Sequence, residues 1–374
     1  MFALPLDAAA LLQAYDAQGV HRTGHLADAE NADWLVDLAT QLGADARLES
    51  FSMDRIEPAD CYVEIAGQRI PGTPVFDGAF TGPAGVEGVL GATVGLETLG
   101  PTAIYQPTYE AYRQSRNCTA LVTVTAGGGP GLAVFNAERF LQPYDLPNLL
   151  VSSEYEAQLA AAAQQGARVR VVCDARRVPS RPSNVVATVA GSDPNVPAVV
   201  VMTPRSGWWH CASERGGGIV CWLSALAAVL RHRATATVTF LASTGHELGH
   251  VGLHDFMQRR PHLTTTATWL HFGANLGARD SVLTLQSPQD DLRRLGCDAL
   301  EAVGGPHPAL SPPATVPNGE SRDIHRAGGR YLTFVGSNTL FHLPSDRYPD
   351  AVDIPAVGRI AAAAARVAAA MAGA

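Results

Sequence analysis

The chain has 374 residues, with 27 Lys and Arg against 35 Asp and Glu for a formal net charge of -8, and 47% of it is hydrophobic. That length supports a large core and implies two units, or one unit carrying a long insertion. The acidic balance, with no basic run, excludes the electrostatic footprint of a nucleic-acid binder, so neither DNA nor RNA is expected as a partner.

Met1 to Gly19 lacks a basic n-region and meets acidic residues early, which predicts a helix rather than a signal peptide. Asp28 to Leu42 repeats apolar residues at the helical period, and Arg47 to Ser52 reads as a short strand. From about Cys61 to Cys173 the texture changes to short β-like runs punctuated by Gly and Pro. These are Cys61 to Ile65, Gly88 to Val94, Ala120 to Thr125, Gly131 to Phe135 and Val169 to Cys173, with an alanine-rich helix over Glu154 to Gln165. They describe a small β-rich module, closed by Pro179-Ser180-Arg181-Pro182. Asn184 to Val189, Ala198 to Met202 and Thr235 to Ala242 then read as strands buried on both faces, and Gly218 to Arg231 and Pro355 to Met371 as covering helices. No apolar span of about 18 residues is read as a membrane helix, and no membrane partner is expected. Six cysteines, at 61, 118, 173, 211, 221 and 297, lack CxxC spacing and suit reduced thiols in a cytoplasmic protein.

The chemistry concentrates at Ser243-Thr244-Gly245-His246-Glu247-Leu248-Gly249-His250, directly after a β-branched run. Open α/β sheets place their ligands at such strand ends. As a string, HELGH matches the HExxH zinc motif, whose two histidines share one face of a continuous helix. The strand-like run and Gly245 before His246, with Gly249 and Gly252 inside the would-be helix, argue against that geometry. His250 and His254 are accordingly expected to be ordinary helix-surface or packed residues.

Arg22-Thr23-Gly24, the strand Ala198 to Met202, the Ala212 to Ile219 segment (ASERGGGI), Gly245 to Gly252 (GHELGHVG) and Phe341 to Asp346 (FHLPSD) occur in an order that resembles the zinc aminopeptidase family, which includes glutaminyl cyclases and glutamate carboxypeptidase. Residues 61 to 178 look like the protease-associated domain often inserted in that family. The resemblance implies an α/β fold, a mixed and largely parallel open sheet flanked by helices, formed by residues 1–60 plus 179–374, with residues 61–178 inserted as a small β-rich domain.

Residue by residue, the resemblance puts Glu214 in the place of a bridging aspartate, Glu247 in that of a metal-ligand glutamate, and His342 in that of the last ligand histidine. It implies that these three bind one divalent ion, zinc first with manganese or cobalt as alternatives, or that no metal binds. The family's other metal subsite has no counterpart in Thr203-Pro204-Arg205-Ser206 or in His271-Phe272-Gly273-Ala274-Asn275. His246 stands where the family has its general-base glutamate, so it reads as a proton-transfer group, a ligand in a rebuilt site completed by Glu247 or His210, or a hydrogen-bonded loop histidine. Glu214 at a helix start reads equally as a cap.

Arg205, Trp208 and Trp209 occupy the place of the lost ligands and suggest a small planar or anionic substrate, or a short peptide-like one. Cleavage of an amide or other C–N bond is the expected reaction. Three alternatives remain: a metal-free pseudoenzyme or binding protein, a cyclase-like acyl transferase, and a Cys211 nucleophile activated by a nearby imidazole.

Overall fold

The computed structural model describes residues 6–115 and 117–373; the first five residues of the expected N-terminal helix lie outside them. Two sheets organise the chain. The first has eight strands in the spatial order Ala46–Ser50, Ser183–Val189, Val238–Ser243, Val199–Pro204, Thr268–Phe272, Arg330–Val335, Thr284–Gln286 and Ala309–Leu310. Its centre is parallel, Val238–Ser243 to Val199–Pro204 to Thr268–Phe272 to Arg330–Val335, while Ser183–Val189 and Thr284–Gln286 join antiparallel on either side. The central strands are continuous apolar runs because both faces are covered.

Helices Ala8–Ala17, Leu26–Leu42, Gly216–Arg231, Asp290–Glu301 and Ile354–Met371 contribute to the core on one face, with Val201, Phe240, Leu270 and Phe334 beneath them. Leu253 and Phe256 of helix Val251–Arg259, with Leu263 and Ile324, cover the other face over Met202, Leu241 and Trp269. Local signals set the ends of these helices. Asp7 Oδ1 accepts from Ala10 N at 3.0 Å and Asp353 Oδ1 from Ala356 N at 3.0 Å, while Gly43 closes Leu26–Leu42 in the left-handed conformation. One helix, Ile354–Met371, does reach the length and apolarity of a membrane span, contrary to the sequence reading. Its Val357, Ile360, Ala364 and Val367 lie in the core shared with Gly216–Arg231.

The second sheet has seven strands, ordered Val86–Val89, Arg168–Ser180, Met53–Ile65, Gln68–Pro74, Asn148–Ser152, Ala120–Thr125 and Val94–Leu99. It has its own core around Val63, Val94, Val122, Leu149 and Val171. A third cluster, in which Phe76, Phe135 and Phe140 pack with Trp208, Leu248 and Val251, joins it to the first sheet.

Two expected strands differ. Gly88 to Val94 is not one strand but the end of Val86–Val89, a turn over residues 90–93 and the start of Val94–Leu99, with Gly91 at φ 79 and Thr93 Oγ1 accepting from Val89 N. Gly131 to Phe135 is not a strand. Its backbone instead meets the loop at His342, with Val134 N donating to His342 O at 3.4 Å. That contact brings the second sheet to the rim of the candidate site.

Candidate functional site

The strand Val238–Ser243 ends in a sharp reversal. Gly245 (φ 81), Gly249 (φ 69) and His250 (φ 61) are all left-handed, with a short 3-10 turn over His246–Leu248 between the two glycines. A Cβ on Gly245 would run into Val251 Cγ2, and one on Gly249 would lie 2.9 Å from Glu138 O. The HExxH helix therefore does not form, as its glycines indicate. Folding the loop back nonetheless brings the His246 and His250 rings to 5.2 Å between centroids.

His250 is a packed residue at the centre of this site. It is buried, its Nδ1 lies 2.7 Å from Asp323 Oδ2, and its Nε2 has no hydrogen-bond partner. Half-exposed His254 also reaches Asp323, at 3.6 Å. Glu320, at the start of helix Ser321–Arg326, completes the arrangement. Its Oε1 lies 2.8 Å from His246 Nδ1, and its Oε2, without a hydrogen-bond partner, lies 3.3 Å from the equally unpartnered His271 Nε2. Ser321 Oγ holds the far side of the His271 ring, 2.9 Å from Nδ1.

One donor atom from each of His246, His250 and Glu320 lies within 4.8 Å of the other two. Two imidazoles and a carboxylate, buried, with one imidazole fixed through Nδ1 by a carboxylate and its Nε2 left free, are the donor set and supporting shell of a divalent-metal site. The orphaned His250 Nε2 and Glu320 Oε2 give such an ion something to satisfy. The residues present fit the group. Burial alone would raise Glu320, but the facing imidazoles of His246 and His250 hold it well below the usual carboxylate range. Burial and the Arg215 charge push His246 down to about 4, so it is neutral and able to ligate at physiological pH.

A second cluster lies beside the first. Glu214 and His342, two of the expected ligands, do come together, with His342 Nε2 3.5 Å from Glu214 Oε1. His342 Nδ1 is fixed by Val134 O at 2.6 Å. Arg215 enters between the clusters: its Nη2 is 2.7 Å from Glu214 Oε1 and its Nε donates to Ser206 O at 2.8 Å. Burial opposes ionisation of Glu214, but Arg215 and then His342 bring it to about 2. Asp346 accepts from Ser213 N and Glu214 N at 2.9 and 3.0 Å and so fixes this turn.

The third expected ligand is engaged elsewhere. Glu247 Oε1 accepts from Thr23 N and Oε2 from Ser206 Oγ, both at 2.7 Å, so the buried carboxylate ties the Arg22-Thr23-Gly24 segment to the sheet. Arg205 is fully buried, with Nη1 2.7 Å from Asp28 Oδ1 and Nη2 on Ser183 O. Trp208 packs edge-on against Phe76 and donates to Asn136, while Trp209 donates to His342 O. Arg205 and Trp208 are thus held in the interior, while Trp209 is half-buried beside His342. The side chain of His210 turns up in none of the hydrogen bonds or clusters of the site, and its carbonyl accepts from buried His21. Burial and the neighbouring Glu214 and Asp346 charges push the Cys211 thiol well above its usual value, which removes the thiolate that a nucleophile needs.

A cavity of about 300 Å³ opens over the first cluster. His246, His271 and Glu320 form its floor, and Tyr105, Asn318 and Phe341 stand among its walls. Phe341 also stacks on His342, with 3.8 Å between ring centroids. Among the described residues, no Arg or Lys lines this cavity. Larger cavities of about 430 and 570 Å³ lie elsewhere, the first around Ala228 and Arg366 and the second around Arg113 and Tyr144.

Sequence reasoning passed over Glu320, His271 and Asp323 and set His250 aside. Only the HELGH string signalled any of them.

No protein-family model and no curated protein sequence matches the chain. Its structure is similar to a zinc aminopeptidase from Bacillus subtilis, with a TM-score of 0.76 at 14% identity over 97% of this chain and 95% of that one. It is likewise similar to a peptidase M28 precursor from Shewanella amazonensis, with a TM-score of 0.77 at 12% identity over 98% and 93% of the two chains. An aminopeptidase from Aneurinibacillus sp. strain AM-1 gives 0.73 at 14% identity, over 98% of this chain and 93% of that one. The chain thus has the zinc-aminopeptidase-like fold, a mixed α/β sheet flanked by helices, as the order of its motifs implies.

Proposed function

We propose that this protein is a metallopeptidase-like hydrolase that cleaves an amide C–N bond in a small or short peptide-like substrate with the help of one divalent ion. The observation that carries this reading is the buried trio His246, His250 and Glu320, whose donor atoms lie within 4.8 Å of one another, with His250 Nε2 and Glu320 Oε2 unpartnered and with His246 and Glu320 lining a cavity. Aminopeptidases on the same fold support the reaction class. Those three residues would hold the ion, and zinc suits two imidazoles and a carboxylate best. When bound, such an ion polarises a substrate carbonyl and lowers the pKa of water.

The chain's own residues supply the rest. Asp323 fixes the His250 ring so that Nε2 faces inward. His271, held at Nδ1 by Ser321, sets its Nε2 3.3 Å from Glu320 Oε2 and so orients that carboxylate. Tyr105 and Phe341 give the substrate apolar walls and exclude water. Among the described residues no Arg or Lys lines the cavity to pair with an anionic group beyond the ion, so a neutral, polar substrate fits it best. Six unbridged cysteines suit a reducing compartment such as the cytoplasm.

The test is metal content by plasma mass spectrometry, together with hydrolysis of a panel of aminoacyl amides and dipeptides. We expect about one ion per chain, lost in His250→Ala and Glu320→Gln along with turnover. Full turnover in both variants would overturn the proposal.

A further inference from the structure

The cysteines play no part in the proposed reaction, but two of them face each other. Cys61 in strand Met53–Ile65 and Cys173 in strand Arg168–Ser180 are directly opposite partners in an antiparallel ladder. An irregularity brings them there. Pro58, which has no N–H to give the ladder, pairs with Ala175; Ala59 and Asp60 then bulge opposite Asp174 alone, and the next pair is Cys61 with Cys173. An unbroken register would have set Cys61 against Val172 and put the two thiols on opposite faces of the sheet. With the bulge, both pack on the core around Val63 and Val171. The backbone also decides which kind of pair this is. Cys173 N donates to Thr81 Oγ1 at 3.0 Å and Cys173 O accepts from Thr81 N at 3.0 Å, so both groups turn away from Cys61 and the pair is of the non-hydrogen-bonded kind. In such pairs the Cα atoms lie about 4.5 Å apart, within the range of about 4.4–6.8 Å that a disulfide spans. The Cys61 thiol already lies along the partner strand, donating to Asp174 O at 3.4 Å. Cys61 is half-buried beside exposed Ala59 and Asp60, whereas Cys173 is fully buried. Burial pushes the Cys61 thiol up to about 11, and burial together with the facing Cys61 pushes Cys173 higher still, so both are protonated at neutral pH and react slowly.

We propose that Cys61 and Cys173 are a latent cross-strand disulfide, closed by a low-molecular-weight disulfide such as oxidised glutathione. Cys61, the less buried of the two, loses its proton and attacks one sulfur of the small disulfide, releasing one thiol. Cys173 then loses its proton and attacks Cys61 Sγ, and the second thiol leaves. Two protein thiols are oxidised, the small disulfide is reduced to two thiols, and the two protons end on them. The bond staples the two strands that carry the seven-stranded module out of the first sheet, since Met53–Ile65 follows Ala46–Ser50 and Arg168–Ser180 precedes Ser183–Val189. A crosslink that closes so long a loop stabilises the fold by restricting the unfolded chain.

The experiment uses the full chain carrying Cys118→Ser and Cys297→Ser, which removes the other two half-buried thiols. The folded protein is incubated with oxidised glutathione in mildly alkaline buffer, then alkylated in urea and mapped by peptide mass spectrometry without reductant. We expect two fewer alkylated thiols, a linked peptide pair holding Cys61 and Cys173, and a melting temperature higher by about 5 °C that dithiothreitol reverses. Both changes should vanish in Cys61→Ser. Glutathione retained on Cys61 while Cys173 is alkylated would overturn the proposal, as would an unchanged thiol count. A linked protein that melts no higher than its reduced form would overturn the stapling role.

Discussion

His250 Nδ1 and Asp323 Oδ2 lie 2.7 Å apart, and this single contact decides which nitrogen of the ring is available to the site. Supporting carboxylates of this kind typically change metal affinity by about 10 to 100-fold when removed. We expect Asp323→Ala to weaken zinc binding by about that factor while the chain stays folded, measured by competition with a calibrated chelator. An affinity equal to wild type would show that the ring needs no such support.

The reversal after the strand should be just as sensitive. At φ 69, and with Glu138 O 2.9 Å from where its Cβ would sit, Gly249 has no room for a side chain. Gly249→Ala should cost about 1–3 kcal/mol in urea unfolding and weaken metal binding as well, since His250 is the next residue. A variant as stable as wild type would mean that the loop relaxes freely.

Arg205 offers a test of a structural role against a substrate-binding one. Its pair with Asp28 is fully buried, and truncating one partner of such a pair costs about 3–5 kcal/mol. Arg205→Ala should therefore lose stability by that amount. A raised KM with unchanged stability would instead place the guanidinium in contact with substrate.

Buried His21, like His246, should make the fold acid-sensitive, and it lies far from the metal ligands in sequence. It is fully buried and stacked on Tyr15 with 3.9 Å between ring centroids, and burial pushes it down to about 3. The folded pKa lies below the unfolded one of about 6.5, so the unfolded chain binds more protons between those values and stability falls as pH falls through that window. The loss between pH 7 and pH 5 should be about 2 kcal/mol by urea unfolding. His21→Asn should flatten that slope; an unchanged slope would assign the proton uptake to other groups.

The fold was legible because its signals are local and repeated. Continuous apolar strands, the helices between them and the order of ASERGGGI, GHELGHVG and FHLPSD can all be read in a chain only 12–14% identical to the structures it resembles. The site was half legible. Glu214 and His342 meet as the motif order implies, but nothing local distinguishes Glu247, which spends both oxygens on Thr23 and Ser206, from a carboxylate left free to ligate. Glu320 lies 74 residues from His246 in a stretch without periodicity, and only tertiary packing brings them to 2.8 Å. The HELGH string contains both histidines of the proposed trio although its helix does not form, since it is the left-handed Gly249 and His250, not a helical turn, that bring the rings together.

Arg215 also bears on how such a centre responds to its surroundings. A dissolved ion obeys mass action, so its occupancy falls with dilution, chelation or competition from another metal. A guanidinium attached to the backbone has no dissociation constant, and it stays charged at any pH the protein survives. The positive charge that Arg215 sets beside Glu214 is thus fixed at synthesis, whatever the cell supplies.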